Sequence, residues 1–272
     1  MAPPLSELEA TAIEACTAGG NYLREAYRSG ETDAERLDHD VKSSADTASE
    51  RRLLEVVRSR FPDHRIDAEE SGIHDGDGGA YEWIVDPLDG TNNFESGLPS
   101  FATAVTVLEA GEPVLGVAYV PMLDDLYVGT RGEGVRYNGR PVSGGDERSG
   151  HDERNVNPST ATVVSVIGHD VKRRPEHAAI SESINRALES RCKRRLESWS
   201  PTVHWGLLAR GRLDGIVCYR PDREEQLLGE LFAAESGLET DAGEDWFVGA
   251  CSRELLAGLR TDVTEAIDAG GQ

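Results

Sequence analysis

The sequence predicts a layered α/β protein with a large mixed sheet in each half. The chain has 272 residues and 38% of them are hydrophobic, so it can bury a substantial core. Its apolar residues fall into blocks with helical or strand periodicity, in an order typical of layered α/β folds. A polar stretch that contains glycines, 143–158, separates the halves, so we place one lobe at 1–145 and a second at 146–272.

The first half should begin with two helices and continue as a β-meander. Ser6 and Glu9 have capping-box spacing, so the first helix should run from there to about Arg28, with Gly30 as its stop. A second helix should span 47–60. The stretch 72–79 is rich in Gly and Asp and is therefore expected to be a surface loop. The predicted strands cover 66–70, 81–85, 103–108, 114–119 and 125–130.

The second half should alternate strands and helices. The expected strands are 161–167, 213–219 and 246–250, and the expected helices are 175–194, 202–210, 223–236 and 252–260.

The charge balance excludes some partners. Asp and Glu number 50 against 28 Lys and Arg, a net charge of −22, which repels nucleic acid. With only three lysines, the composition predicts an acidic surface adapted to a salt-rich cytoplasm. The N-terminus has no signal-peptide pattern, and no apolar run reaches the ~20 residues of a membrane span. We therefore expect a cytoplasmic protein with no membrane partner.

One short segment, 86–91, contains the residues best suited to bind a metal ion and a phosphate. Asp86 and Asp89 lie three residues apart on a turn that Gly90 permits, so their carboxylates can point at one spot. With the Leu88 carbonyl they offer hard oxygen ligands, which suit Mg²⁺. Thr91 adds a hydroxyl, and the backbone amides after the turn could receive a phosphate. An isolated Asp-x-x-Asp is also typical of an ordinary turn.

A second acidic segment makes the metal site the stronger interpretation. Glu69 and Glu70 follow an apolar strand, where carboxylates are costly unless they are solvated or bind a cation. The segment therefore indicates either a solvated strand end or a second wall of the same site.

Together these segments resemble the inositol monophosphatase family, whose superfamily includes fructose-1,6-bisphosphatases and bisphosphate nucleotidases. The family signature Asp-Pro-(Ile/Leu)-Asp-Gly-Thr, with Asn-Phe two residues on, is matched by Asp86–Thr91 and Asn93-Phe94. Its Gly-Glu-Glu-Ser element appears as 68–71 with alanine first. An upstream family pattern is matched by Lys42, Ser43, Asp46 and Glu50.

The resemblance implies an α-β-α-β-α sandwich of the sugar phosphatase type, a homodimer, and a phosphomonoesterase that uses two or three Mg²⁺ ions. The implied substrate is an inositol monophosphate-like or sugar phosphate. The implied metal ligands are Glu69, Asp86, the Leu88 carbonyl and Asp89. Asp46 and Thr91 would orient and deprotonate the attacking water, with Glu70 nearby. The implied substrate-binding residues are Leu88, Asp89, Gly90, Thr91 and Ser200.

The second family signature, Trp-Asp-x-Ala-Ala-Gly, is altered. Glu225 occupies the position of its aspartate ligand, and Glu224 that of its tryptophan. Glu225 is either a magnesium ligand with a displaced carboxylate or a solvated residue of a helix's first turn. Trp199 stands where the family has a pocket glycine, so it is either a core or interface residue or part of a reshaped pocket.

These departures leave two alternatives. The chain could be a degenerate relative that binds phosphate or a protein partner with little turnover. It could also be a fructose-1,6-bisphosphatase or a nucleotide 3',5'-bisphosphate phosphatase.

Overall fold

The computed structural model of the chain describes residues 3–30, 34–37, 40–76, 78–142, 156–197 and 199–270, with only the backbone described at 34–37 and 40–42. The helices of these residues are α1 (Leu5–Ser29), α2 (Ser44–Arg60), α3 (Thr91–Glu95), α4 (Pro175–Arg191), α5 (Pro201–Ala209), α6 (Arg223–Glu235) and α7 (Arg253–Gly270).

The strands up to residue 142 are β1 (Ala34–Leu37), β2 (Asp40–Ser43), β3 (Arg65–Ala68), β4 (Gly72–His74), β5 (Tyr81–Asp89), β6 (Ala102–Glu109), β7 (Glu112–Val120), β8 (Asp125–Thr130), β9 (Gly134–Tyr137) and β10 (Arg140–Val142). Those that follow are β11 (Thr162–Ile167), β12 (Arg194–Glu197), β13 (Gly215–Tyr219), β14 (Glu239–Ala242) and β15 (Trp246–Ala250).

The chain divides into two compact units, each with its own mixed sheet. The first unit comprises Met1–Pro141, Trp199–Val203 and Arg223–Glu235, and holds an eight-stranded sheet of order β10-β9-β8-β7-β6-β5-β3-β4. The second comprises Val142–Ser198, His204–Asp222 and Ser236–Gln272, and holds a sheet of order β12-β11-β13-β15-β14. The predicted boundary at residue 145 lies outside the described residues and stays a prediction.

Helices cover both faces of the first unit's sheet. Alternate residues of β6 and β7 pack against apolar residues of α1 and α2. The strand residues are Val105, Val107, Leu115 and Val117, and the helix residues are Leu8, Ala12, Leu53 and Val57. The intervening positions face α6, because a Cβ on Gly116 of β7 would lie 3.3 Å from Phe232 Cε1. Phe232 is fully buried, and burying such a side chain contributes about 1.5–3 kcal/mol. This packing fixes α6, which carries Glu225, on the sheet.

In the second unit, α4 and α7 pack against each other and onto one sheet face. Ile184 and Leu188 of α4 share a buried cluster with Leu259 and Val263 of α7. Arg191 also joins the two helices, because its guanidinium donates to both carboxylate oxygens of Asp262 at 2.6 and 2.7 Å.

Most predicted elements are present, and the differences have physical causes. The Ser6–Glu9 capping box is wrong, because α1 begins at Leu5 after Pro4, with no side-chain cap. Gly30 does end α1, in a left-handed conformation. The predicted loop at 72–79 begins with strand β4, which pairs with β3. The helix expected through residue 194 ends at Arg191, because 194–197 pair with β11 as β12.

The last helix ends ten residues later than predicted, at Gly270. The residues of its apolar stripe are Leu255, Leu259, Val263 and Ala266, at helical spacing. None of the helices in the described part of the chain is long and apolar enough to cross a membrane.

Candidate metal and phosphate site

A β-bulge in β5 turns Asp86 and Asp89 to the same side of the sheet. Residues three apart on a regular strand point to opposite faces. Here Asp86 pairs with Ala104 and Asp89 with Ala102, so β5 has one residue more than β6 between these pairs. That extra residue restores both aspartates to one face, as bulges near active sites commonly do. Both side chains are buried, at 5% and 3% exposure.

The parallel neighbour strand β3 brings Glu69 beside Asp86. Ala68 pairs with Val85, and the next amide, Glu69 N–H, donates to the Val85 carbonyl at 3.1 Å. Because the carboxyl ends of parallel strands meet at one sheet edge, the residues that follow β3 and the end of β5 converge. The carboxyl groups of Glu69 and Asp86 lie close enough for each to perturb the pKa of the other.

The first turn of α6 completes the group. Ligand oxygens of Asp86, Asp89 and Glu225 all lie within 4.8 Å of one another. Glu225 therefore lies with the two aspartates of β5. The positive end of the helix dipole also favours carboxylates in this turn.

Asp89 is held from a distant part of the chain. Its Oδ2 accepts hydrogen bonds from Ser200 Oγ at 2.9 Å and from the Thr202 amide at 2.6 Å. Ser200 is fully buried, so the structure places it as a support for Asp89, and its predicted contact with substrate stays a prediction. Gly90 has a φ of 93°, and a Cβ there would meet Ser200 Cβ at 2.9 Å, so glycine is required.

Asp46 and Thr91, which the family resemblance implies as a pair, are in hydrogen-bond contact, and their role stays a prediction. Thr91 Oγ1 lies 2.9 Å from Asp46 Oδ1 and 3.1 Å from the Leu88 carbonyl oxygen, and its single proton serves one of them at a time. The other carboxylate oxygen of Asp46 accepts the Ser43 amide at 2.9 Å, as part of the capping box that starts α2. Asp46 is therefore fixed by both ends of its carboxylate.

The clustered carboxylates oppose each other's ionisation. Burial raises the pKa of Asp86 well above its usual range, and neighbouring carboxylates raise it further. Water reaches Glu69, but the surrounding protein still desolvates its carboxyl group, raising its pKa to about 8. Burial likewise raises the pKa of Asp46 to about 7, with Thr91 and Ser43 partly opposing the shift. A cation would relieve this accumulated charge.

Three supporting residues were not predicted as part of the site. Glu50 is buried, and its Oε2 accepts the amides of Glu70 at 2.8 Å and Ser71 at 3.3 Å. Ser49 Oγ donates to the Pro87 carbonyl at 2.8 Å. Glu224 lies close enough to contribute to the raised pKa of Glu69. Glu50 left a sequence signal, because it lies one helical turn after Asp46 in the upstream family pattern.

The donor set fits a hard divalent cation. It consists of carboxylate oxygens with the Leu88 carbonyl at the same turn, the ligands that magnesium prefers. Glu70 also belongs to the group, because its charge adds to the raised pKa values of Asp46 and Glu69.

Comparison with known proteins decides the family. The profile of the inositol monophosphatase family matches residues 4–225. The chain belongs to this family. The predicted resemblance and fold class are therefore confirmed, and the family supports a phosphatase-type fold.

Sequence relatives in the family carry two kinds of names. The chain is 39% identical over 137 residues to a fructose-1,6-bisphosphatase/inositol-1-monophosphatase of Aquifex aeolicus, a match covering 50% of this chain and 52% of that protein. It is 29% identical over 230 residues to Nus factor SuhB of Salmonella typhimurium (strain LT2), covering 83% and 81%. The match to the Aquifex protein thus spans about half of that protein's length.

Solved structures agree with the family assignment. An inositol monophosphatase from Anabaena (Nostoc) superposes with a TM-score of 0.78 at 26% identity, covering 96% of both chains. Its match extends over both units of this chain.

Proposed function

We propose that this chain is a Mg²⁺-dependent phosphomonoesterase acting on a small phosphate ester, either inositol monophosphate-like or a sugar phosphate. The observation that carries the proposal is the group formed by Asp86, Asp89 and Glu225, whose ligand oxygens lie within 4.8 Å of one another. Two of these carboxylates are buried, and unpaired buried charge is costly unless a cation or protons neutralise it. The name of the Aquifex relative supports the same chemistry.

Magnesium would be held by Asp86, Asp89, Glu225 and Glu69, with the Leu88 carbonyl as a further oxygen donor. When bound, it would supply Lewis acidity that neutralises the phosphate and stabilises the departing oxygen. Ser200 and the Thr202 amide keep Asp89 oriented for this task, because both bonds converge on one of its oxygens.

Asp46 and Thr91 would activate the nucleophile. A water hydrogen-bonded to Thr91 Oγ1 can lose a proton as the threonine's own proton moves to Asp46 Oδ1, 2.9 Å away. The water oxygen then bonds to phosphorus and the ester P–O bond breaks. The departing alkoxide takes a proton from solvent, and Asp46 later releases its own proton to solvent. A pKa near 7 suits Asp46 to this role, because a general base works best near the operating pH.

The altered second signature is compatible with turnover. Glu225 lies with Asp86 and Asp89, which supports its role as the ligand that replaces the usual aspartate. Trp199 is 49% exposed next to Ser200, which argues against a core position and leaves an interface residue or a reshaped pocket. Bisphosphorylated sugars and nucleotides therefore remain within the substrate range that we propose to test.

The second candidate is a phosphate- or protein-binding relative with little turnover. Several relatives are named Nus factor SuhB, and this naming motivates the candidate together with Glu224 in place of the family's tryptophan. A homodimer, a cytoplasmic location and a surface adapted to high salt also stay predictions.

Phosphate release from a panel of esters tests the proposal. The panel includes inositol 1-phosphate, fructose 1,6-bisphosphate and a 3',5'-bisphosphonucleotide, assayed with magnesium or with EDTA in high potassium chloride. We expect release with magnesium and none with EDTA, and the preferred ester names the substrate class. No release across the panel from folded protein would favour the binding candidate.

A further inference from the structure

The first residue of α6 breaks a local preference. Arg223 is a cation at a helix N-terminus, where the positive end of the dipole disfavours it. Its Nη1 donates instead to Asp67 Oδ2 at 2.9 Å, with side-chain exposures of 50% and 25%. The Asp67 contact offsets this unfavourable dipole interaction.

This ion pair joins two segments that both carry site carboxylates. Asp67 lies on β3 two residues before Glu69, and Arg223 lies two residues before Glu225. Residues two apart on a helix do not face the same way. Arg223 can therefore reach β3 while Glu225 lies with Asp86.

Like charges oppose the docking of the start of α6. Ligand oxygens of Glu225 lie within 4.8 Å of those of Asp86 and Asp89, so carboxylates of one sign meet there. The first amides of a helix also lack intrahelical acceptors, which leaves the first turn weakly held. The Arg223–Asp67 bond counters both effects.

We propose that the Arg223–Asp67 ion pair is a positioning clasp that fixes the start of α6 against the end of β3. It thereby holds the Glu225 carboxylate beside those of Glu69 and Asp86, and so sets the affinity for magnesium. This inference rests on the metal site of the proposed function.

Calorimetric titration of metal-stripped protein with magnesium tests the clasp without any turnover. We expect Arg223→Gln to weaken magnesium binding by about 3- to 10-fold, less than the 10- to 100-fold typical of a partner bonded directly to a ligand. The sign of this change is diagnostic. Loss of a nearby cation would by charge alone tighten magnesium binding, whereas loss of the clasp weakens it.

Matched variants separate the clasp from general effects. Arg223→Lys keeps the charge and should retain most of the affinity. The swap Arg223→Asp with Asp67→Arg should recover binding relative to Arg223→Asp alone. Arg260→Gln breaks a comparable ion pair with Asp241, 3.2 Å long and 53% and 37% exposed, and should leave magnesium binding unchanged. Thermal unfolding in EDTA confirms that each variant is folded, because an exposed ion pair contributes little to stability.

Two outcomes overturn different claims. Arg223→Gln that binds magnesium as tightly as wild type, or more tightly, overturns the clasp and leaves the proposed function standing. Wild-type protein that binds no magnesium overturns the proposed function itself.

Discussion

Without metal, the protein should lose stability as the pH rises from about 4 to 7, and Asp46 should account for part of the loss. Burial raises the pKa of Asp46 from 3.8 to about 7 in the folded protein. Between these values the folded chain holds a proton that the unfolded chain has released. The free energy of unfolding therefore falls by about 1.4 kcal/mol per pH unit, on the order of 4 kcal/mol in all. Above about pH 7 this contribution is fully lost.

Urea unfolding in EDTA measures the effect, with Asp46→Asn as the comparison because asparagine has a similar shape and does not titrate. The general repulsion of a chain with net charge −22 affects both proteins alike. The stability of wild type relative to the variant should therefore decline from pH 5 to pH 7.5. A difference that stays constant over this range would refute the reasoning. Saturating magnesium should stabilise wild type at pH 7.5, because ligands that bind only the folded state raise its stability.

Three further changes test individual contacts. Glu225→Asp withdraws the carboxylate by roughly 1.5 Å, so magnesium affinity should fall about 10-fold in calorimetry. Unchanged affinity would contradict ligation by Glu225. Glu50→Ala leaves two amide donors without their acceptor, which should destabilise the protein by about 1–3 kcal/mol each, whereas Glu50→Gln should be tolerated because one oxygen accepts both bonds. Equal urea midpoints for the two variants would exclude Glu50 as the acceptor that stabilises this turn. Gly90→Ala should destabilise by about 1–3 kcal/mol more than Gly97→Ala, whose Cβ would meet nothing within 4 Å, and thermal unfolding compares them.

The candidate site was readable from the sequence where its residues lie close together in the chain. Asp86, Leu88, Asp89 and Thr91 share one short segment, so residue type and spacing, together with the family resemblance, placed them together. The segment's actual geometry was not readable, because the bulge in β5 depends on pairing with β6. Likewise, Ser200 holds Asp89 from 111 residues away, and spacing carries no signal for such a contact.

The fold shows the same division between local and distant information. Long, periodic elements such as α1, α6 and the strands of the meander were predicted nearly in full. β12 and β14 are short and rich in polar residues, and they exist because a neighbouring strand pairs with them. The end of α7 is a different case, since its apolar spacing was present in the sequence and could have been recognised.

The central claim is that the carboxylates around Asp86 hold magnesium for phosphate ester hydrolysis. The most direct measurement is phosphate release from the preferred ester during a magnesium titration, in wild type and in Asp86→Asn. Removing one charge from a repelling buried cluster should not prevent folding, so the variant is a fair comparison. The account predicts saturable, magnesium-dependent release by wild type and at least about 100-fold less by the variant. Release that persists in EDTA, or equal rates in both proteins, would contradict it.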